Sequence, residues 1–424
     1  IFGVSMKKHY LYNYEAQYNS YKKRLYESKI SGRNKEIIAS YDRDSILKGG
    51  IELPTLLKYY DVLMTVAENY TKKDFDKLTK EDFEKIIEQI NKREDILIAT
   101  KQKYWTILKK FGSWLVYGDK IFNGHKKDYP EIVSWLSTSI KSKNIPKIKA
   151  GDILTEQEID KLIDSTESTR DKAFLSVLYE TGSRISELGN IRIKDITEHP
   201  HGYLIDLAAG KTGERNVIIV FSSSKLAAWL NQHPTKKKED YVWVGIYEDN
   251  NNKKHRGEPL GYRGLYKIVL RAKEKSGIKK RIHPHAFRHA RVTHLLANKQ
   301  LNETQAKVYF GWTPSSKMIA QYSHLTSADV NRTMLAINGI EPEEKDVNGK
   351  KATVCRNCGK PNDPKDSFCG FCSRPLDFKV LMEQQNKIER ADKVFKKTGV
   401  LNVDRTALKE TINEMIKSGE ISID

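Results

Sequence analysis

Apolar residues recur at helical spacing over much of the first third of the chain. Phe83, Ile86, Ile87 and Ile90 fall on one helix face, and Thr79 with Asp82 just ahead has the form of a helix start. Tyr104, Ile107, Leu108, Phe111, Trp114 and Leu115 mark a second helix. Residues 1–30, rich in Tyr and Lys, read as an amphipathic N-terminal arm, and 31–138 as a small all-helical domain. The periodicity stops at 139–152 (SIKSKNIPKIKAGD), a linker containing Pro146 and Gly151. It resumes at Thr155, which with Glu158 forms a capping box before Ile159, Leu162 and Ile163. Helices dominate a second domain over 153–340. The exception lies at 203–221, where YLIDL and NVIIVF flank AAGKTGER and predict a β-hairpin. A short unit at 350–377 holds all the cysteines. In the helical tail that follows, 378–424, Leu408, Ile412, Met415 and Ile416 share one face, the mark of packed core or an oligomer contact. The expected class is mainly α with a small β-hairpin or sheet.

Charge adds a partner. The 424 residues carry a net charge of +19, which favours a polyanion, most simply nucleic acid. With 38% hydrophobic and 30% charged residues the chain reads as globular, and no apolar run is long enough to span a membrane. Ile1–Ser5 lacks the layout of a secretory signal, and Met6 is an alternative first residue. The four Cys sit together and leave none for a disulfide framework, so a reducing, cytoplasmic setting is expected.

Five short segments of the second domain hold the candidate chemistry: TGSRISEL (181–188), AAGKTGER (208–215), HPHAFRH (283–289), FGW (310–312) and QYSH (321–324). Each has a plain explanation when taken singly. Arg184 and Glu187 are spaced as a surface helix pair. Lys211 sits at a hairpin tip. Its GKT is no P-loop, because the first Gly of that motif would fall on Ile205 and the segment lies in a hairpin. His285 and His289 have a metal-binding spacing, but no acidic third ligand stands at a telling offset, and Arg288 between them repels a cation.

Together, the order Arg, Lys on a hairpin, His-x-x-Arg, Gly-Trp, Tyr resembles the tyrosine recombinases, the phage-integrase family. TGSRISEL resembles the first arginine box and HPHAFRHARVTHLL the second, with SGI at 276–278 ahead of it. The resemblance is strong over about 150–335, looser over the helical domain, and absent from the cysteine unit and tail. It implies a helical core-binding domain and an α-rich catalytic domain that clamp double-stranded DNA. It further implies a tetramer working on two sites through a Holliday junction, with no metal or ATP in the chemistry. The added cysteine unit suggests an integrase of an archaeal mobile element.

The residues suit that chemistry. Arg184 and Arg288 offer planar, permanently charged forks for the non-bridging oxygens of a phosphodiester. Tyr322 is the expected nucleophile, helped by surrounding positive charge. His285, three residues before Arg288, accepts a proton or hydrogen-bonds the phosphate. Lys211 is the expected general acid for the leaving 5′ oxygen. Trp312 offers its indole N–H to a phosphate oxygen, and Glu187 holds Arg184 in place. Lys141, Lys143, Lys147 and Lys149 read either as a solvated tether or as a basic strap on the DNA backbone. Two departures stand out: the family usually has His where Trp312 is, and Tyr322 follows Trp312 by ten positions where nine is commoner. Trp donates one hydrogen bond but transfers no proton. Tyr309, the rival nucleophile, breaks the order.

Cys355-x-x-Cys358 and Cys369-x-x-Cys372, ten residues apart, suit four thiolates around one structural Zn²⁺ better than a redox pair. Gly359 and Gly370 stand where tight turns are expected. Whether such a ribbon binds DNA, contacts a neighbouring protomer or braces the tail is left open by the sequence. Two other functions also stay open: relaxation of DNA by a type IB topoisomerase, which shares the chemistry, and DNA binding without catalysis. A metal-dependent nuclease would need clustered carboxylates, which are not found.

Overall fold

The computed structural model describes residues 11–122, 128–140, 150–210, 213–246, 256–297, 301–316, 318–321, 352–377 and 380. The chain divides into two compact units, Tyr12–Lys147 and the remainder.

The first unit is helical: α1 (Tyr14–Glu27), α2 (Gly32–Leu47), α3 (Leu53–Asn69), α4 (Lys80–Lys92), α5 (Ile98–Tyr117) and the single turn α6 (Glu131–Ser134). The Thr79–Asp82 capping box forms, and Phe83, Ile86, Ile87 and Ile90 turn inward onto Tyr104, Ile107, Leu108 and Phe111. The sequence pattern sets residues 1–30 apart as an arm, but Leu25 and Ile30 are buried in this same core. The Tyr18 hydroxyl donates to Asp42 Oδ2 at 2.5 Å. Polar contacts of the Tyr-rich face, which hydropathy does not weigh, thus bind α1 to the unit. Among the described residues no helix is long and apolar enough to cross a membrane.

The second unit is built around α8 (Thr169–Thr181), whose residues Ala173–Thr181 are all buried. Before it lies α7 (Glu156–Asp164), opened by the Thr155–Glu158 capping box, and after it α9 (Ile185–Gly189). Three antiparallel strands follow in the order β1 (Ile196–His199), β2 (Gly202–Gly210), β3 (Gly213–Ile219). The expected hairpin is present, and its strands reach further into AAGKTGER than the alternation indicates. β1 is an addition that its short, half-exposed ITEH does not announce. Tyr203 pairs with Ile219, Ile205 with Val217 and Leu207 with Arg215, which puts Arg215 on the face of the buried Val217 and Ile219. The helices α10 (Ser223–Asn231), α11 (Tyr262–Ser276), α12 (Pro284–Ala297) and α13 (Glu303–Tyr309) complete the unit, with a small sheet of β4 (Thr353–Val354) and β5 (Pro361–Asn362) in the cysteine segment. The four linker lysines, Lys211, Tyr322 and the tail stripe from Leu408 to Ile416 lie outside the described residues.

Candidate active site and cysteine cluster

Helix α8 ends on Gly182 in the left-handed region (φ 53°), and a Cβ there would stand 2.5 Å from the Phe310 ring. Glycine therefore serves twice: it turns the chain, and it lets the Phe310-Gly-Trp segment approach. Thr181 stabilises the turn, its hydroxyl donating to the Val177 carbonyl at 2.7 Å and accepting the Ser183 N–H at 3.2 Å. Arg184 leaves this turn at the start of α9.

Glu187 gathers the charges. Its carboxylate accepts the backbone N–H of Arg184 (3.0 Å), the Arg184 Nη1 (2.5 Å) and the Arg215 Nη2 (3.0 Å). Glu187 is buried, at 6% side-chain exposure, and Arg215 nearly so, at 9%, while Arg184 is 38% exposed. Glu187 thus anchors one guanidinium that faces solvent and one that does not. Arg215 itself passes against Gly311 (φ 60°), where a Cβ would meet its Nη1 at 2.5 Å. The sequence reading did not single out Arg215, although it closes the quoted AAGKTGER segment. Its signal was the period-two alternation with Val217 and Ile219.

Arg288, on α12, is 2% exposed and joins two of the motifs. Its Nη1 donates to the Gly182 carbonyl (2.9 Å) and its Nη2 to the Phe310 carbonyl (2.7 Å). The guanidinium lies 5.4 Å from the Phe310 ring centre and 5.5 Å from that of Trp312. Trp312 is itself 8% exposed and packs with Phe310, Val292, Leu295 and Ala306. The two residues expected at a phosphate are here held inward, with Arg288 turned to backbone carbonyls and Trp312 set in a small core.

One helical turn before Arg288, His285 keeps part of its ring at the surface. Its pKa is pushed down to about 4, first by burial of the rest of the ring and then by the positive charge of His289, Arg288, His283 and Arg184. His289, whose ring meets that of His285 edge-on at 4.4 Å, is pushed to about 4 by burial and by His283 and Arg288. Both imidazoles are neutral at neutral pH, the form that accepts a proton. The rival Tyr309 is tied down: its hydroxyl donates to the Glu180 carbonyl at 2.7 Å, and burial raises its pKa. The structure therefore brings together Arg184, Glu187, His285, Arg288 and Trp312 and adds Arg215.

The four cysteines converge, their Sγ atoms all within 4.8 Å of one another. Cys355–Cys372 and Cys358–Cys369 stand 3.7 and 3.5 Å apart, too far for disulfides. Sulfurs placed about 2.3 Å from a tetrahedral zinc would be about 3.8 Å apart, so the donor set and its spacing fit that ion. The two halves are alike: Gly359 N–H donates to the Cys355 carbonyl and Ser373 N–H to that of Cys369. The left-handed position falls on Gly359 (φ 70°) in one half and on Ser373 (φ 57°) in the other. Gly370 does not take it. Its place is set by close approach, because a Cβ there would lie 2.1 Å from the Ser224 carbonyl oxygen. No other group of three or more ligating side chains gathers among the described residues.

Comparison with known proteins falls on the same part of the chain. Residues 152–329 match the phage integrase family. A tyrosine recombinase of Pseudothermotoga lettingae is 37% identical over 171 residues, 38% of this chain and 54% of its own length. The chain thus spans about half the length of that relative. Among solved structures, the Tn1549 transposon integrase in complex with transposon right-end DNA superimposes with a TM-score of 0.53 at 16% identity, covering 71% of this chain and 99% of that one. XerH site-specific recombinase bound to palindromic difH substrate, a post-cleavage complex, gives 0.51 at 20% identity over 76% of this chain and 95% of that one. At these identities the two structures speak for the fold, while the segment that holds the arginine boxes carries the assignment: residues 152–329 are a domain of the phage integrase family, to which the tyrosine recombinases belong.

Proposed function

We propose that the chain is a site-specific DNA recombinase that cuts and rejoins duplex DNA through a covalent bond to Tyr322, in the service of a mobile element. The observation that carries this reading is the junction at Glu187 and Arg288, which draws the two arginine boxes, the hairpin strand and the Gly-Trp turn into one positively charged site.

In the cutting step the Tyr322 oxygen attacks phosphorus, a 3′-phosphotyrosyl bond forms, and the P–O5′ bond breaks. His285, neutral at neutral pH, takes the phenolic proton. Lys211 gives a proton to the departing 5′ oxygen. Arg184, anchored by Glu187 and reaching solvent, offsets charge on the non-bridging oxygens. Arg288 supplies the second positive charge from the junction of the two turns, with Trp312 against its face. Rejoining is the reverse: a 5′ hydroxyl attacks the phosphotyrosine and gives its proton to Lys211, and His285 returns the other to Tyr322. The bond energy of the cut is kept in the ester, so the exchange needs no nucleotide. The four linker lysines lie along the DNA backbone, and the protein works as a tetramer on two sites, as the family resemblance implies. The four cysteines hold one structural Zn²⁺, which supplies cross-linking of the fold and takes no part in the chemistry.

The test is a suicide duplex from the protein's own genomic neighbourhood, run on a denaturing gel. A protein–DNA adduct is expected with the native chain and none with Tyr322→Phe, whose DNA affinity stays within about twofold because only one hydroxyl is removed. An adduct that survives the substitution, or binding that is lost with it, sinks the assignment.

A further inference from the structure

The cysteine unit does not hang from the second unit of the chain; it is seated in it. Gly370 lies so close to the Ser224 carbonyl that no side chain fits between them. The Lys225 ammonium of α10, 17% exposed, pairs with Asp363 Oδ2 at 3.0 Å and Asp366 Oδ1 at 3.1 Å. The Asp366 carboxylate also accepts the Ser224 hydroxyl. Phe371, between the second pair of cysteines, stacks on Tyr203 of β2 with ring centres 5.5 Å apart and planes 28° apart. Lys360 donates to the His199 carbonyl of β1 at 3.1 Å. Within the cysteine unit, Asn362 is fully buried and links the two halves, accepting the Gly370 N–H (3.0 Å) and donating to the Lys360 carbonyl (2.9 Å).

From this we infer that the metal-loaded cysteine unit is a brace for the catalytic sheet, locking β1, β2 and the start of α10, rather than a separate reader of DNA. The inference rests on the metal reading given above. A unit this small has too little core to keep its shape without the ion. When the ion is lost, Phe371, Asp363 and Asp366 lose their fixed positions. Lys225 is then left half-buried without its partners, an unfavourable state for a charge. The segment entering α10 is also held from within the unit, by the buried Glu180 carboxylate accepting the Ser222 N–H at 2.8 Å and the Val220 N–H at 2.7 Å. Metal loss therefore loosens the sheet and α10 without unfolding the whole unit. Because β2 ends at Gly210, one position ahead of the proposed general acid Lys211 in the sequence, the brace bears on that strand from outside the site.

The experiment is hydrogen exchange with mass spectrometry on the full-length chain, with zinc measured by elemental analysis, before and after stripping by a strong chelator. Stripping is expected to speed exchange about tenfold or more in Ile196–Gly210 and Ser223–Asn231 and to leave α4 unchanged, since only contacts of the local unit are lost. Gly370→Val keeps all four cysteines and is expected to retain zinc yet show the same faster exchange. If that variant no longer holds zinc, Lys225→Ala reads the same contact from the α10 side, through exchange in Ile196–Gly210. A chain that neither contains nor takes up zinc overturns the metal reading. A chain that binds zinc but shows unchanged exchange on stripping, or in a zinc-retaining variant, overturns the brace alone.

Discussion

At Glu187 a single carboxylate serves two guanidiniums of different duty. Arg184 reaches outward, while Arg215 is enclosed, and its Nε has no hydrogen-bond partner among the described residues. The charge of Arg215 is therefore compensated chiefly through Glu187, and Glu187 is kept in place for Arg184 partly by Arg215. Removing Arg215 leaves a buried carboxylate with one partner fewer, which costs about 1.5–3 kcal/mol in stability. It also lets Arg184 drift, and a misplacement of about 1 Å slows chemistry on the order of a hundredfold. We expect Arg215→Ala to slow adduct formation by about ten- to a hundredfold, with DNA affinity within about twofold, because Arg215 positions Arg184 and does not itself reach the surface. Arg215→Lys, which keeps the charge but not the fork, is expected to recover part of that rate. Equal loss in both variants, or a matching loss of DNA affinity, would make Arg215 a purely structural residue. This residue also marks a limit of reading the chain unaided. Arg184, His285 and Arg288 stand in contiguous words that betray themselves. Arg215 acquires its role only from the β2–β3 register and from Gly311 passing beside it, neither of which is local in sequence.

Helix α12 concentrates a different risk. It carries His285, Arg288 and His289 within two turns, with His283 just ahead of it and Arg291 beyond them. Burial first, and then the positive charge already there, opposes proton uptake by these rings, and for His285 and His289 the pKa is pushed down to about 4. The sign of the linkage follows from comparison with an unfolded histidine near 6.5. Between pH 6.5 and about 4 the unfolded chain binds protons that the folded chain refuses, so folding stability is whole above 6.5 and drains away as the pH falls towards 4. Thermal melting from pH 7.5 to 4 should show Tm declining over that window. The double variant His285→Asn with His289→Asn should show a shallower decline, whatever its Tm at neutral pH. An identical slope would mean the two rings titrate normally. The element as such was legible, since HPHAFRHARVTHLL has both the helical spacing and a Pro suited to a first turn. The inward turn of Arg288 was not, for it depends on two carbonyls from distant turns. β1 was missed for a simpler reason: four residues without apolar alternation carry no strand signal until β2 pairs with them.

Across the whole molecule the excess of positive charge acts without regard to any single pocket. A net charge of +19 is spread over the chain, and the proposed reaction needs only a few cations, so most of it would remain for phosphates outside the reaction centre. Each phosphate neutralised releases condensed counterions, and log affinity falls with log salt by about 0.9 per contact. A protein gripping duplex DNA over a footprint of 6–10 phosphates would lose on the order of a thousandfold or more in affinity between 50 and 200 mM salt. Here the linker becomes testable by itself, because Lys141, Lys143, Lys147 and Lys149 are either a tether or a strap. Replacing all four by Ala should lower the slope by about 3.6 if each meets one phosphate, and by nothing if they are solvated. Tyr322→Phe should leave the slope as it is, since the hydroxyl carries no charge. Fluorescence anisotropy on one duplex at five salt concentrations separates the cases. An unaltered slope in the lysine variant returns that segment to the role of a simple tether, and a native slope near zero would remove DNA as the partner of this charge altogether.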